Sequence, residues 1–189
     1  MREGFEPLER DNDNSDIVDL LKSKKSYLMQ RFVKFSYDKR REMRKKMPDG
    51  TREPRIKKST DEIWNREHWT DEVDIANTEF DDLPSNRQAE RMAAASVAID
   101  LVLDKIKDWE IRLTTEMIEE MSSIVHDKWL ERRELERREL ERRGLVQDEV
   151  DPILVQPYEN LSEDEKEKDR NHIYTAIKII EEVIKNEKK

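Results

Sequence analysis

The chain has 189 residues, 44% of them charged, and a formal charge of −9. That length suits one domain or a pair of packed repeats, and the net acidity ranks nucleic acid last among partners, because a basic surface supplies most of that affinity. The absence of cysteine excludes disulfides, thiolate metal sites and thiol nucleophiles, while the polar, acidic start MREGFEPLERDNDNSD and the lack of an 18-residue apolar run argue against a secretory signal or a membrane span. A cytoplasmic protein is the economical expectation.

Residues 1–14 lack periodicity and read as a disordered tail. Asn14, Ser15 and Asp16 are candidate caps for a first helix in which Ile17, Leu20, Leu21, Leu28, Phe32 and Phe35 share a face, running to about Lys46. Met47-Pro48-Asp49-Gly50 ends it, since proline disfavours helical geometry before it and Asp-Gly suits a tight turn. Residues 50–58 read as a basic, proline-interrupted mobile loop. Ser59 and Glu62 have capping-box spacing ahead of a short helix carrying Ile63 and Trp64, and Ser85 and Gln88 repeat that spacing ahead of a helix burying Met92, Ala95, Ile99, Val102 and Ile106. Thr114 is placed to cap a third long helix, with Leu113 and Ile118 as a hydrophobic staple and Ile118, Met121, Val125 and Trp129 as its stripe.

Beyond Trp129 the sequence LERRELERRELERRG places leucines every five residues, about 500° of rotation, so they form no coiled-coil seam. Glutamates facing arginines three and four residues on predict an exposed helical extension that stops at Gly144. Pro152, Pro157 and Tyr158 lie in an extended approach. Ser162 and Glu165 then form a capping box, so a helix should begin at about Glu163 and bury Ile173, Ala176, Ile177, Ile180, Val183 and Ile184.

The segments from Thr78 and from Gln156 superpose without gaps at an offset of 78, pairing Phe80 with Tyr158, Leu83 with Leu161 and Ile99 with Ile177. The preceding long helices match at an offset of 89, placing Tyr37 on His126. The difference of 11 residues falls on the basic loop and its two tryptophans. The expected fold is therefore all-α: two pseudo-symmetric helix-loop-helix repeats, residues 15–108 with a basic insertion at 47–72 and residues 109–189, joined by long extended connections with room for short β segments.

Catalysis has little to stand on. There are three histidines, no glycine-rich phosphate loop and no metal-ligand spacing, so neither an enzyme nor a cofactor or metal is expected. Binding is better supported. Residues 22–58 carry fifteen Lys or Arg against four acids, a net +11 in an otherwise acidic chain; they form either a solvated face or a wall that attracts phosphate. Trp64, His68 and Trp69 flank that stretch, with Arg55 inside it, where a ring could stack on a base while cations meet phosphate; the alternative is that they anchor the insertion. His126 and Trp129 lie toward one side of their helix. Trp129 either packs on the Pro157-Tyr158 loop or offers a face for a planar base, and different faces can do both.

HDKW at His126 to Trp129, a basic helix end, and DPILVQPYENLSEDEKEKDR from Asp151 together resemble the ryanodine receptor (RyR) repeat domain, over roughly residues 115–184. That family's pattern is His-x-x-Trp, a Gly-Trp turn, a His-Pro-x-Leu-x-Pro-Tyr-x-x-Leu loop and a Lys-x-x-Asp-Arg helix start. Asp151 stands where the family often has His, and Gly144-Leu145 replaces the Gly-Trp pair. The resemblance implies paired repeats and a link to adenine nucleotides, with stand-alone microbial and viral relatives sensing or sequestering nucleotide-derived signals, and it brings Tyr158 and Arg170 into the candidate set. The function expected is non-enzymatic binding or sequestration of an anionic, adenine-like signalling ligand, of the kind a viral or microbial immune-signal binder would take, by Trp129, His126, Tyr158, Arg170, Trp64, Trp69, His68 and Arg55. The alternative is a protein-interaction module using the Glu/Arg helix and the basic face. A small core in so charged a chain favours a homo-oligomer.

Overall fold

The computed structural model describes residues 13–107, 109–146 and 150–188; most of the expected tail lies outside them. Six α-helices run in chain order through the described residues: α1 (Asp13–Ser23), α2 (Lys25–Glu42), α3 (Glu62–His68), α4 (Ser85–Leu103), α5 (Thr115–Arg142) and α6 (Glu163–Glu187). Two antiparallel two-stranded pieces accompany them, β1 (Ile56–Lys58) with β2 (Glu72–Asp74) and β3 (Ile106–Lys107) with β4 (Glu110–Ile111). The protein is thus mostly helical with short β segments. No helix among the described residues is long and apolar enough to cross a membrane.

The helices α2, α4, α5 and α6 pack on one another, and their stripes share one core. Phe32 and Val33 of α2, Ala98 and Ile99 of α4, Met121 of α5 and Ile173, Ala176 and Ile180 of α6 are all 1% exposed or less. Alanines at 95, 98 and 176 put only methyl groups between the α4 and α6 backbones and their neighbours, which therefore pack closely. A smaller cluster of Tyr37, Val73, Ile75 and Leu83, with Trp64 and Phe80 packed on it, seats the insertion.

The expected first helix is two helices. Lys24 leaves helical geometry at φ −91°, ψ 7°, and its N–H bonds back to Leu20 and Leu21; the bend lets Ile17 and Leu21 of α1 reach the core that Leu28 and Phe32 also reach. The expected mobile loop at 50–58 is instead partly a strand, because Lys57 registers with Val73 and the Lys46–Arg52 bridge closes the turn at Gly50. Two of the three expected capping boxes use other groups. Asp61, not Ser59, caps α3, accepting from the Ile63 and Trp64 amides at 3.0 Å each, and its second oxygen accepts from the Ser85 amide at 2.9 Å. Ser85 is therefore the first residue of α4, after Pro84, and Gln88 donates back to the Leu83 carbonyl. The Trp64 amide, then the Ser85 hydroxyl and amide, bring the Asp61 carboxyl down to about 2.

Thr114 and Ser162 cap as expected, accepting from the Met117 and Glu165 amides. The approach to α6 is not plainly extended: Pro152–Val155 and Tyr158–Asn160 are 3-10 turns, which tolerate proline at their start. The Glu/Arg extension of α5 ends at Arg142, with Gly144 at φ +70°. It is laced by Arg137–Glu134 and Arg138–Glu134 pairs, but Leu140 within it is buried and Arg143 reaches Glu62 of α3 at 2.8 Å, so it lies on the protein rather than projecting free.

Candidate functional site

Phe80–Asp82 forms a 3-10 turn whose counterpart at Tyr158–Asn160 starts 78 residues later, and α4 and α6 also start 78 residues apart. Tyr37 Oη donates to the Thr78 carbonyl at 2.8 Å, and His126 Nε2 donates to the Gln156 carbonyl at 2.8 Å. Donors 89 apart thus meet acceptors 78 apart. A further pair obeys the same offsets: Arg91 sits over the Tyr37 ring at 4.5 Å, and Asp169 lies 3.2 Å from His126 Nδ1.

A cavity of about 380 Å³, within the usual size of small-molecule sites, opens where the halves meet. Five pairs of equivalent positions line it: Arg40 and Trp129, Arg87 and Glu165, Glu90 and Lys168, Arg91 and Asp169, Ala94 and His172. Equivalent positions thus carry different chemistry. The first half supplies the denser positive wall, with Arg40 on α2, Arg87 and Arg91 on α4, and Arg55 and Lys57 on and beside β1. The second half supplies Trp129, both histidines and Asp169 on α5 and α6, together with Arg132, Arg133 and Lys168.

Several of these charges are answered locally. Arg132 and Arg87 reach Glu90 at 3.7 and 3.3 Å, and Lys168 pairs with Glu165. Among the described residues, no carboxylate oxygen lies within 4 Å of the Arg40, Arg55 or Arg91 guanidinium. The three instead oppose one another. Burial, then neighbouring Arg55, lowers the Arg40 pKa, and burial, then Arg40, brings Arg91 down to about 10. Water reaches Arg40 through the cavity although protein surrounds it. Arg40 Nη2 lies 3.3 Å from His172 Nε2, and His172 stacks on Phe32 at 5.9 Å between ring centres. Burial, then Arg40 and Arg91, lowers the His172 pKa to about 3, so the ring is neutral at pH 7 and Nε2 accepts from Arg40.

Of the sequence-predicted residues, Arg55, His126 and Trp129 come together on this cavity. His126 is 4% exposed, and the Arg133 guanidinium lies 5.5 Å from the Trp129 ring. Tyr158 and Arg170 lie outside the lining, on a separate polar set: Tyr158 Oη donates to Glu119 at 2.9 Å, and Arg170 bonds Glu119 and, at 2.9 Å, Glu163. Trp64 and His68 stack on each other at 4.0 Å, with the indole N–H on the Asp82 carbonyl, and hold the insertion to the smaller core. Trp69, in left-handed geometry at the end of α3, is 92% exposed. Arg40, Arg91 and His172 are among the lining residues that the motif reading missed; carrying Trp129 back by 89 and Asp169 back by 78 lands on the two arginines.

The arrangement can hold an anion against three guanidinium groups that lack an ion pair within 4 Å among the described residues, while a ring stacks on Trp129. Among the described residues, no cluster of three or more His, Asp or Glu is placed to hold a metal ion. Residues 110–183 match the family model described as RyR domain, a span from β4 through most of α6. The comparisons with curated proteins and with solved structures gave no match. The segment that matches the RyR domain model is thus the one that brings Trp129, His126 and Asp169 to the cavity.

Proposed function

We propose that the chain is a non-enzymatic, cytoplasmic binder of an anionic, nucleotide-derived small molecule, held in the cavity between the two halves. The observation that carries this reading is the group of Arg40, Arg55 and Arg91, gathered from α2, α4 and the approach to β1, whose guanidinium groups have no carboxylate oxygen of a described residue within 4 Å, facing a wall that holds Trp129. Like charges brought together without counter-ions cost folding free energy, which a bound anion offsets. The ring opposite suits a planar base, as stacking on aromatic side chains is tolerant of base identity. The protein-interaction alternative draws less support, since the Glu/Arg helix answers its charges internally and leans on α3.

The test is a thermal-shift panel of mono-, di- and cyclic nucleotides, paired with mass spectrometry of the supernatant after purified protein is heat-denatured. A released nucleotide-like ligand, or a shift that Arg55→Gln abolishes, is the expected result. No released ligand and no shift with any nucleotide would overturn the reading.

A further inference from the structure

We infer that anion binding in the cavity is linked to one proton shared between His126 and Asp169, so that the site takes its ligand more tightly as pH falls from 7.5 to 5.5. This regulation rests on the anion-site reading above and is tested separately from it.

The Gln156 carbonyl can only accept, so His126 Nε2, 2.8 Å away, must carry a hydrogen. A neutral imidazole has one N–H. With it committed to Gln156, Nδ1 presents a lone pair to the Asp169 carboxylate at 3.2 Å, and two acceptors then face each other in a buried place. One added proton, on Nδ1 or on the carboxyl, turns that contact into a hydrogen bond. The pair is satisfied with one shared proton and unsatisfied without it.

Burial of Asp169, opposed in part by His126, lifts its carboxyl to about 6, near the pH of cells. The charge bookkeeping then fixes the sign. With the shared proton the pair is neutral overall, and without it the pair carries one negative charge. Both residues line the cavity, so a bound anion meets that charge only in the deprotonated state. Anion and proton therefore favour each other, and by linkage an anion that tightens on protonation raises the pair's proton affinity by the same factor.

The other charged groups around the cavity are Arg40 on α2, Arg55 and Lys57 beside and on β1, Arg87, Glu90 and Arg91 on α4, Arg132 and Arg133 on α5, Glu165 and Lys168 on α6, and Asp151 on the approach loop. Arg40 and Arg91 stay charged throughout this window, and His172 stays neutral down to about 3. The first half has no counterpart of the shared proton, because Tyr37 donates its own hydroxyl hydrogen and Arg91 stands where Asp169 does.

Sulfate is the probe, since its charge does not change between pH 5 and 8. Calorimetry with the full chain should show sulfate binding about sixfold tighter at pH 5.5 than at 7.5, the change that a one-unit upward shift of the pair on binding produces over that window. Asp169→Asn can donate to His126 Nδ1 without a titratable proton, and in that variant the pH dependence should vanish while sulfate still binds. If that variant does not fold, proton uptake by the unaltered protein decides the matter: binding heats at pH 7 in two buffers of different ionisation enthalpy should differ by a fraction of a proton. Equal affinity at both pH values, a slope that survives in Asp169→Asn, or no proton uptake would each overturn the inference while leaving the nucleotide reading to its own panel. Sulfate binding at neither pH would count against the anion site itself.

Discussion

Tyr37 and His126 stand at equivalent places in the two halves, each donating to the backbone carbonyl two residues ahead of a 3-10 turn. Around that shared bond the halves differ. Tyr37 has Arg91 over its ring, a charge fixed at any ordinary pH, and lies beside the basic wall. His126 has Asp169, a group whose charge depends on the proton it shares. The same backbone framework thus supports a permanent positive wall on one side and an adjustable, aromatic wall on the other, and an asymmetric ligand is the natural occupant.

Substitutions can break or sharpen that contrast. The largest effect is expected from His126→Phe, which leaves Asp169 and the Gln156 carbonyl without a partner in a buried place; removing one member of a buried pair costs about 3 kcal/mol, readable in urea unfolding. Arg55→Gln should leave stability nearly intact, since its side chain is exposed, but weaken anionic ligands roughly 10- to 100-fold, the range for a charge-assisted hydrogen bond; calorimetry with the best nucleotide from the panel measures it. Trp129→Ala should weaken a nucleotide by about 1–3 kcal/mol and leave sulfate binding unchanged, separating the ring wall from the cation wall. Tyr37→Phe removes the one hydroxyl donor shared by the Ile75 and Thr78 carbonyls and should lower stability by about 1 kcal/mol, less than its counterpart in the other half. Trp69→Ala, at a fully solvated tip, should change stability by less than about 0.5 kcal/mol and affinity not at all.

Much of the helical frame was legible in the sequence because its signals are local. Thr114 and Ser162 sit three residues before the amides they cap, and the stripes that end in Val102 and Ile184 follow the turn of the helix. Asp61 was not legible as a cap, because Ser59 and Glu62 satisfied the same spacing and only the fold shows that the Ser85 amide, 24 residues on, competes for its carboxylate. The cavity was half legible. His126, Trp129 and Arg55 were marked by residue type, whereas Arg40 and Arg91 looked like two more cations in a charged chain. What distinguishes them is that, among the described residues, no carboxylate oxygen comes within 4 Å of either guanidinium, a property of several elements meeting and not of any one of them.

The Asp61 carboxylate also works as a knot. By holding its own helix start with one oxygen and the Ser85 amide with the other, it closes residues 62–84 into a loop whose ends cannot drift apart. Loop closure of this kind removes chain entropy without any covalent bond. The amides of that loop should therefore exchange with deuterium as one cooperative unit, and loosening the knot should release β2 and the Trp64-His68 stack together, carrying away the support that keeps Arg55 and Lys57 at the cavity mouth.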